Sequence, residues 1–238
     1  MAPKILFFLF VALVTGCEAG PDTRLRGSER PAGSPKADES SATSSPVVLF
    51  VGTSLTAGYG LPGDRAYPAL IQSKIDSAGL DFHVVNAGVS GETSAGGLRR
   101  MDWLLRQPVA VLVLELGAND MLRGQEVDAL RANLQEIIDR THAARPEARI
   151  VIAGLRAAPN LGERYADRFE AVFPELARGN DAALIPFLLE GVAGVPELNQ
   201  ADGNHPTAEG QRRVAENVWS VLAPLLRGLA RTKGGDAH

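Results

Sequence analysis

Cysteine, aromatic side chains and surplus positive charge are all scarce in this 238-residue chain, and each scarcity removes a class of explanation. The single cysteine, Cys17, cannot close an intrachain disulfide, and no Cys/His cluster has zinc spacing, so neither a disulfide scaffold nor a metal site is expected. With 24 Lys+Arg against 28 Asp+Glu the formal net charge is −4, which lacks the broad positive field that a phosphate backbone requires. Nucleic acid is not an expected partner. Only 5% of the residues are aromatic but 45% are hydrophobic, enough for one medium α/β domain held by its own core. The apolar run Ile5–Val14, ILFFLFVALV behind Lys4, is about half the roughly 20 residues of a membrane-spanning helix and has the length of a secretory-signal core.

That run ends in Leu13-Val14-Thr15-Gly16-Cys17, which resembles the bacterial lipobox, where a small residue precedes a cysteine that receives a diacylglycerol. Residues 1–16 are thus expected to be a lipoprotein signal peptide, with Cys17 the lipidated first residue of the mature chain and the membrane a partner through that anchor. Glu18 after the cysteine, by resemblance to the bacterial sorting pattern, favours the outer membrane facing the periplasm. Residues up to Pro46 are rich in Ser, Pro, Ala, Gly and mixed charge and cannot bury enough surface to offset their ordering entropy. Residues 17–46 are therefore expected to form a disordered tether, spanning about 30 Å as a flexible coil. A folded domain is expected over 47–228 and a C-terminal tail, frayed from Thr232, over 229–238.

Within the domain, apolar β-rich runs alternate with helical periods. Strands are predicted at Val47–Val51, Phe82–Val85, Val109–Leu116, Ile150–Ile152 and Ala183–Leu189. Helical spacing joins Tyr67, Leu70, Ile71 and Ile75, then Val127, Leu130, Leu134, Ile137 and Ile138, and finally Val214, Val218, Leu222 and Leu225. This alternation predicts an α/β three-layer sandwich with a mainly parallel, flavodoxin-like five-stranded sheet, whose functional groups lie in loops at the strands' carboxyl ends.

Four polar blocks fall in or next to such loops: Gly52-Thr53-Ser54-Leu55, Asn86-Ala87-Gly88-Val89-Ser90-Gly91, Gly117-Ala118-Asn119-Asp120 and Asp202-Gly203-Asn204-His205-Pro206. A serine hydroxyl becomes a useful nucleophile when a base takes its proton and a third group fixes the base. Ser54, His205 and Asp202 can fill those roles, and the Asp202–His205 spacing makes that pairing local. A developing oxyanion needs converging donors, for which the Ser54 N–H, the Gly88 N–H and the Asn119 amide are suited. Each block also has a plainer reading as a turn or a helix cap. His83 and His142 have no motif partners, Arg99, Arg100 and Arg106 read as a solvated helix face, and Asp120 reads as a cap.

Together and in this order, the four blocks resemble the SGNH (GDSL) hydrolase superfamily, with a bacterial arylesterase and acyl-thioesterase I likeness covering Val47–Leu226. The resemblance implies the SGNH fold, no cofactor, and hydrolysis of small carboxylic esters or thioesters, including lipid-derived ones, through an acyl-enzyme. It assigns Ser54 as nucleophile, His205 as base, Asp202 as the orienting carboxylate, and Ser54, Gly88 and Asn119 as the oxyanion hole. It also marks Leu155–Leu161 and Met121-Leu122 as acyl-pocket walls. Activity is expected to rise as His205 deprotonates. Thr53 departs from the family's opening motif by replacing its aspartate, and Thr56 stands where the Gly-x-Ser-x-Gly turn of α/β-hydrolases would need glycine. A carbohydrate O-deacetylase on the same scaffold and a non-catalytic binding lipoprotein are the alternatives. Oligomeric state is not legible.

Overall fold

The segment VVLFVG carries no charge and no polar side chain, so as a strand it needs cover on both faces. It forms β1 (Val47–Gly52), which is buried at every position. In the computed structural model, which describes residues 45–235, β1 lies inside a five-stranded sheet with β2 (His83–Gly88), β3 (Val109–Glu115), β4 (Arg149–Ala153) and β5 (Ala183–Ile185). All pairings are parallel and the strand order is β2-β1-β3-β4-β5, the flavodoxin-like order. Three strands end level, because Gly52 pairs in register with Gly88 on one side and with Glu115 on the other. The loops after β1, β2 and β3 therefore leave the same edge.

The helices are α1 (Ser54–Ala57), α2 (Tyr67–Ser77), α3 (Ser94–Leu104), α4 (Ala118–Leu122), α5 (Val127–Ala144), α6 (Glu163–Gly179) and α7 (Ala208–Gly235). The helix α2 packs on α7, while α5 packs on α3 and α6, which gives helical layers on either side of the sheet. Aliphatic side chains from every strand fill the core, joined by the edge-to-face pairs Phe50–Tyr67 and Phe169–Phe173 at 5.6 and 5.4 Å. Truncating one of these buried leucines to alanine would cost about 2–5 kcal/mol.

The structure departs from the sequence expectations in a few places. The fifth strand stops at Ile185 rather than Leu189, because Pro186 offers no N–H and the chain turns so that Leu188 N donates to Gly154 O at 2.9 Å. The helix α6 escaped the pattern reading although Phe169, Val172, Phe173 and Leu176 follow helical spacing, since charged residues and Pro174 interrupt the run. Residues 229–235 continue α7 instead of forming a tail. The signal peptide over 1–16, Cys17, the tether up to Ser44 and the last three residues lie outside the described residues. Among the described residues no helix is long and apolar enough to cross a membrane.

Candidate active site

Thr53 ends the extended run of β1 and caps α1, its Oγ1 accepting from Leu55 N at 3.4 Å, so Ser54 opens a one-turn helix. The Ser54 Oγ lies 2.9 Å from His205 Nε2, and His205 Nδ1 lies 2.7 Å from Asp202 Oδ2. The carboxylate only accepts, so Nδ1 carries the ring proton and the lone pair of Nε2 faces the serine hydroxyl. Asp202 Oδ1 meanwhile accepts from the backbone N–H groups of Asn204 and His205, at 2.9 and 3.0 Å. The bond from the His205 ring, followed by these two backbone bonds, holds the Asp202 carboxyl down at about 2, so it is an anion across the neutral range.

Two residues passed over in the sequence complete the mount for His205. The Tyr59 ring lies against the imidazole with centroids 4.5 Å apart. Gln200 N donates to His205 O at 2.7 Å, and Gln200 Nε2 donates to Tyr59 O and Pro206 O at 2.7 and 3.0 Å. No pattern in the sequence announces this tie, because it joins the loop after β1 to the segment before α7.

Asn119 lies at the start of α4 and uses one amide hydrogen on Glu92 O at 2.9 Å, while among the described residues the other meets no acceptor. Gly88 has a different job from the expected one. Its N–H already donates to Asn86 Oδ1 at 2.9 Å, and it packs so tightly on α1 that a Cβ would lie 2.4 Å from Ala57 N. Gly88 is thus a close-approach glycine whose amide is occupied. The neighbouring Gly91, at a φ of 79°, turns the chain toward α3, and among the described residues its N–H has no hydrogen-bond acceptor. Arg123 Nη2 donates to Gly91 O at 2.8 Å and fixes that peptide.

Arg100 is not part of a solvated face: it pairs with Glu92 and donates to Ala87 O at 2.5 Å, bracing the loop after β2. Arg99 is exposed, as are Arg106 and His83, while His142 is half-buried. Asp120 is buried and caps α3 by accepting from Ser94 N at 2.8 Å and Ser94 Oγ at 2.5 Å. Of the expected pocket walls, Leu155 and Met121 are buried in the core, whereas Leu122 and Leu161 are exposed. With Tyr59 and Val89 they place large apolar side chains on the loops after β1 to β4. Among the described residues no group of three or more His, Cys, Asp or Glu is clustered as a metal site.

Beneath the nucleophile lies a charge-bearing residue that the strand pattern absorbed as the end of an apolar run. Glu115, fully buried, accepts from Thr53 N at 2.8 Å, Thr53 Oγ1 at 3.0 Å and Thr56 Oγ1 at 2.7 Å. Burial pushes its carboxyl up from 4.5 to about 7, against the pull of these hydrogen bonds. Tyr67 OH lies 2.8 Å from Thr56 Oγ1, and since Thr56 donates to Glu115 the phenol is the donor there. The lone glutamate closing VAVLVLE was the available signal.

Residues 50–213 match the family described as GDSL-like Lipase/Acylhydrolase. The chain belongs to that family. It is 43% identical to the esterase TesA of Pseudomonas aeruginosa over 75% of its own length and 89% of that protein's. It is 38% identical to the thioesterase 1/protease 1/lysophospholipase L1 of Escherichia coli, over 78% of this chain and 87% of that one. Among solved structures, the psychrotrophic esterase EstA from Pseudoalteromonas sp., inhibited by monoethylphosphonate, superposes with a TM-score of 0.72 at 33% identity, covering 76% of this chain and 98% of that one. The four sequence blocks that resembled SGNH hydrolases thus lie in a family domain with the SGNH architecture.

Proposed function

We propose that this GDSL-family chain is a serine esterase that cleaves carboxylic esters and thioesters through an acyl-enzyme. The observation that carries this is the continuous Asp202–His205–Ser54 contact, at 2.7 and 2.9 Å. Ser54 Oγ attacks the acyl carbon as its proton passes to His205 Nε2, and the imidazolium that forms faces the anionic Asp202. The negative charge on the former carbonyl oxygen is met by the Ser54 N–H and the free amide hydrogen of Asn119. The Gly91 N–H, rather than the occupied Gly88 N–H, supplies the third donor. The bond to the leaving group breaks as His205 returns the proton to it. Water then loses a proton to His205 and attacks the acyl-Ser54 carbon, which releases the acid and restores the serine.

The exposed apolar side chains of Tyr59, Val89, Leu122 and Leu161 around this edge suit an apolar acyl or aryl group, including one from a lipid. Replacing Ser54 by alanine abolishes hydrolysis of a chromogenic short-chain ester and labelling by a fluorophosphonate; retained turnover in that variant would remove the mechanism. The lipobox-like Gly16-Cys17 supports a chain anchored by lipid at Cys17 in the bacterial cell envelope, and Glu18 after it favours the outer membrane facing the periplasm. Metabolic incorporation of labelled palmitate that is lost in Cys17→Ser is the expected result, and an unlabelled wild-type chain would refute it.

A further inference from the structure

Ser54 has threonine one residue before it and two residues after it, and both hydroxyls are directed at the same buried carboxylate on the adjacent strand. Thr53 Oγ1 lies 3.0 and 3.1 Å from the two oxygens of Glu115, while Thr53 N and Thr56 Oγ1 lie 2.8 and 2.7 Å from Oε2. All three groups are donors, none is charged, and all the residues involved are buried. The register that pairs Gly52 with Glu115 puts this carboxylate beside Thr53 and Thr56 at the first turn of α1.

We propose that Glu115 is a positioning residue for the nucleophile: as an anion it holds Thr53 and Thr56 and so fixes Ser54, and turnover requires this anion in addition to a neutral His205. The inference rests on the serine-esterase reading and deepens it. A neutral carboxyl has one O–H to donate, and it faces three groups that also donate. Thr56 cannot turn away freely, because its oxygen accepts from Tyr67 OH and, among the described residues, its hydrogen has only Glu115 to meet. Protonation therefore falls on the Thr53 side, where the acid hydrogen takes the lone pair of Oγ1 and leaves the threonine hydrogen only Oε2, at 3.1 Å and already accepting from Thr53 N and Thr56 Oγ1. Oγ1 is also the cap of α1, so the turn that carries Ser54 loosens.

The other groups packed on this loop keep the ionisation specific to Glu115. Tyr67, on α2, is held well above its ordinary range, by burial first and then by Glu115 itself, and stays a neutral donor. Asn86 and Gln211 reach the loop with neutral amides, on Thr56 O and Leu55 O. His205 and Asp202 meet Ser54 at its side chain, through Nε2 and through the imidazole respectively. Burial places the Glu115 carboxyl at about 7, inside the range of an ordinary assay.

The test uses the full chain, a chromogenic ester, and kcat from about pH 5 to about pH 9. The Glu115 ionisation puts a break near pH 7 in the acid limb of log kcat of the wild type. Glu115→Gln removes that break, lowers the plateau kcat by about 10- to 100-fold and changes KM little, as expected for a misplaced nucleophile. Glu115→Asp recovers part of that loss. A wild-type limb without a break near pH 7, or a Glu115→Gln variant with wild-type kcat, overturns the proposal. Should Glu115→Gln fail to fold, Thr53→Val deletes only the hydroxyl donor at similar volume; it lowers kcat with KM retained, and wild-type kcat in it overturns the proposal equally. Fluorophosphonate labelling of Ser54 separates the two readings. An unlabelled wild-type Ser54 removes both, and a labelled one beside an unaffected Glu115→Gln removes only this one.

Discussion

The buried carboxylate beneath Ser54 makes a stability prediction that needs no substrate. Moving a carboxyl from an ordinary 4.5 to about 7 corresponds to about 3 kcal/mol of preference for the protonated form in the fold. The native state therefore holds the Glu115 proton longer than the unfolded chain does. Below about pH 4.5 the group is neutral in both states and this stabilisation is fully present. As pH rises the unfolded chain ionises first, and stability is lost until the folded group also ionises near pH 7. Glu115→Gln removes the ionisation while placing an amide donor among the threonine donors, so the variant carries a constant cost of its own. The informative quantity is the difference in unfolding free energy between wild type and variant, measured by urea melts at several pH values. That difference should move against the wild type by about 3 kcal/mol between about pH 4 and about pH 8 and then level off. Other carboxylates titrate in both proteins and cancel. A difference that stays flat across this range would show that Glu115 is not held in a desolvated, raised state.

Three further outcomes follow from the site geometry. Asn119→Ala should lower kcat by about 10²–10³ with KM little changed, as removal of one oxyanion donor does, and an equal loss at all stages of binding would contradict that role. Asp202→Asn should cut kcat by about 10⁴, because the amide can stabilise the wrong imidazole tautomer; since the native carboxyl is depressed to about 2, wild-type activity should show no ionisation of Asp202 above about pH 4. Gly88→Ala should destabilise by about 1–3 kcal/mol and slow turnover together, since its Cβ would lie 2.4 Å from Ala57 N, and an unchanged melting temperature would refute the tight packing.

How much of this was legible in the sequence depended on range. The sheet was readable because each strand is a short apolar run bounded by turn residues, and the Asp202–His205 pair because it spans three residues of one loop. The choice between Gly88 and Gly91 was not readable. Both are glycines of the block Asn86–Gly91, and only the folded position of the Asn86 side chain, which takes up the Gly88 N–H, tells the occupied amide from the free one. Arg100 looked solvated because the sequence does not reveal that the end of β2 and the loop after it bring Ala87 O and Glu92 to its guanidinium. Glu115 was hidden for the same reason at longer range, since its partners depend on the register between β1 and β3.

That register also accounts for Thr53, the departure from the family's opening motif. An aspartate at this position would set a second carboxylate against Glu115 in a dry site, where two like charges cannot both ionise and one must keep a proton to act as donor. A threonine hydroxyl is a permanent donor and needs no such shared proton, so in this chain Glu115 is free to ionise alone. The arrangement is costly for the fold, because a neutral residue at 115 would avoid a desolvation that the hydrogen bonds only partly offset. Stability and turnover therefore make opposite demands on the same carboxylate as pH rises through about 7: the fold loses free energy where the nucleophile loop gains its anchor. Thr53→Asp joins the two demands in one variant. It should drive the remaining ionisation of the pair upward and shift the acid limb of kcat to higher pH, and a limb that does not move would mean that Thr53 and Glu115 are not electrically coupled.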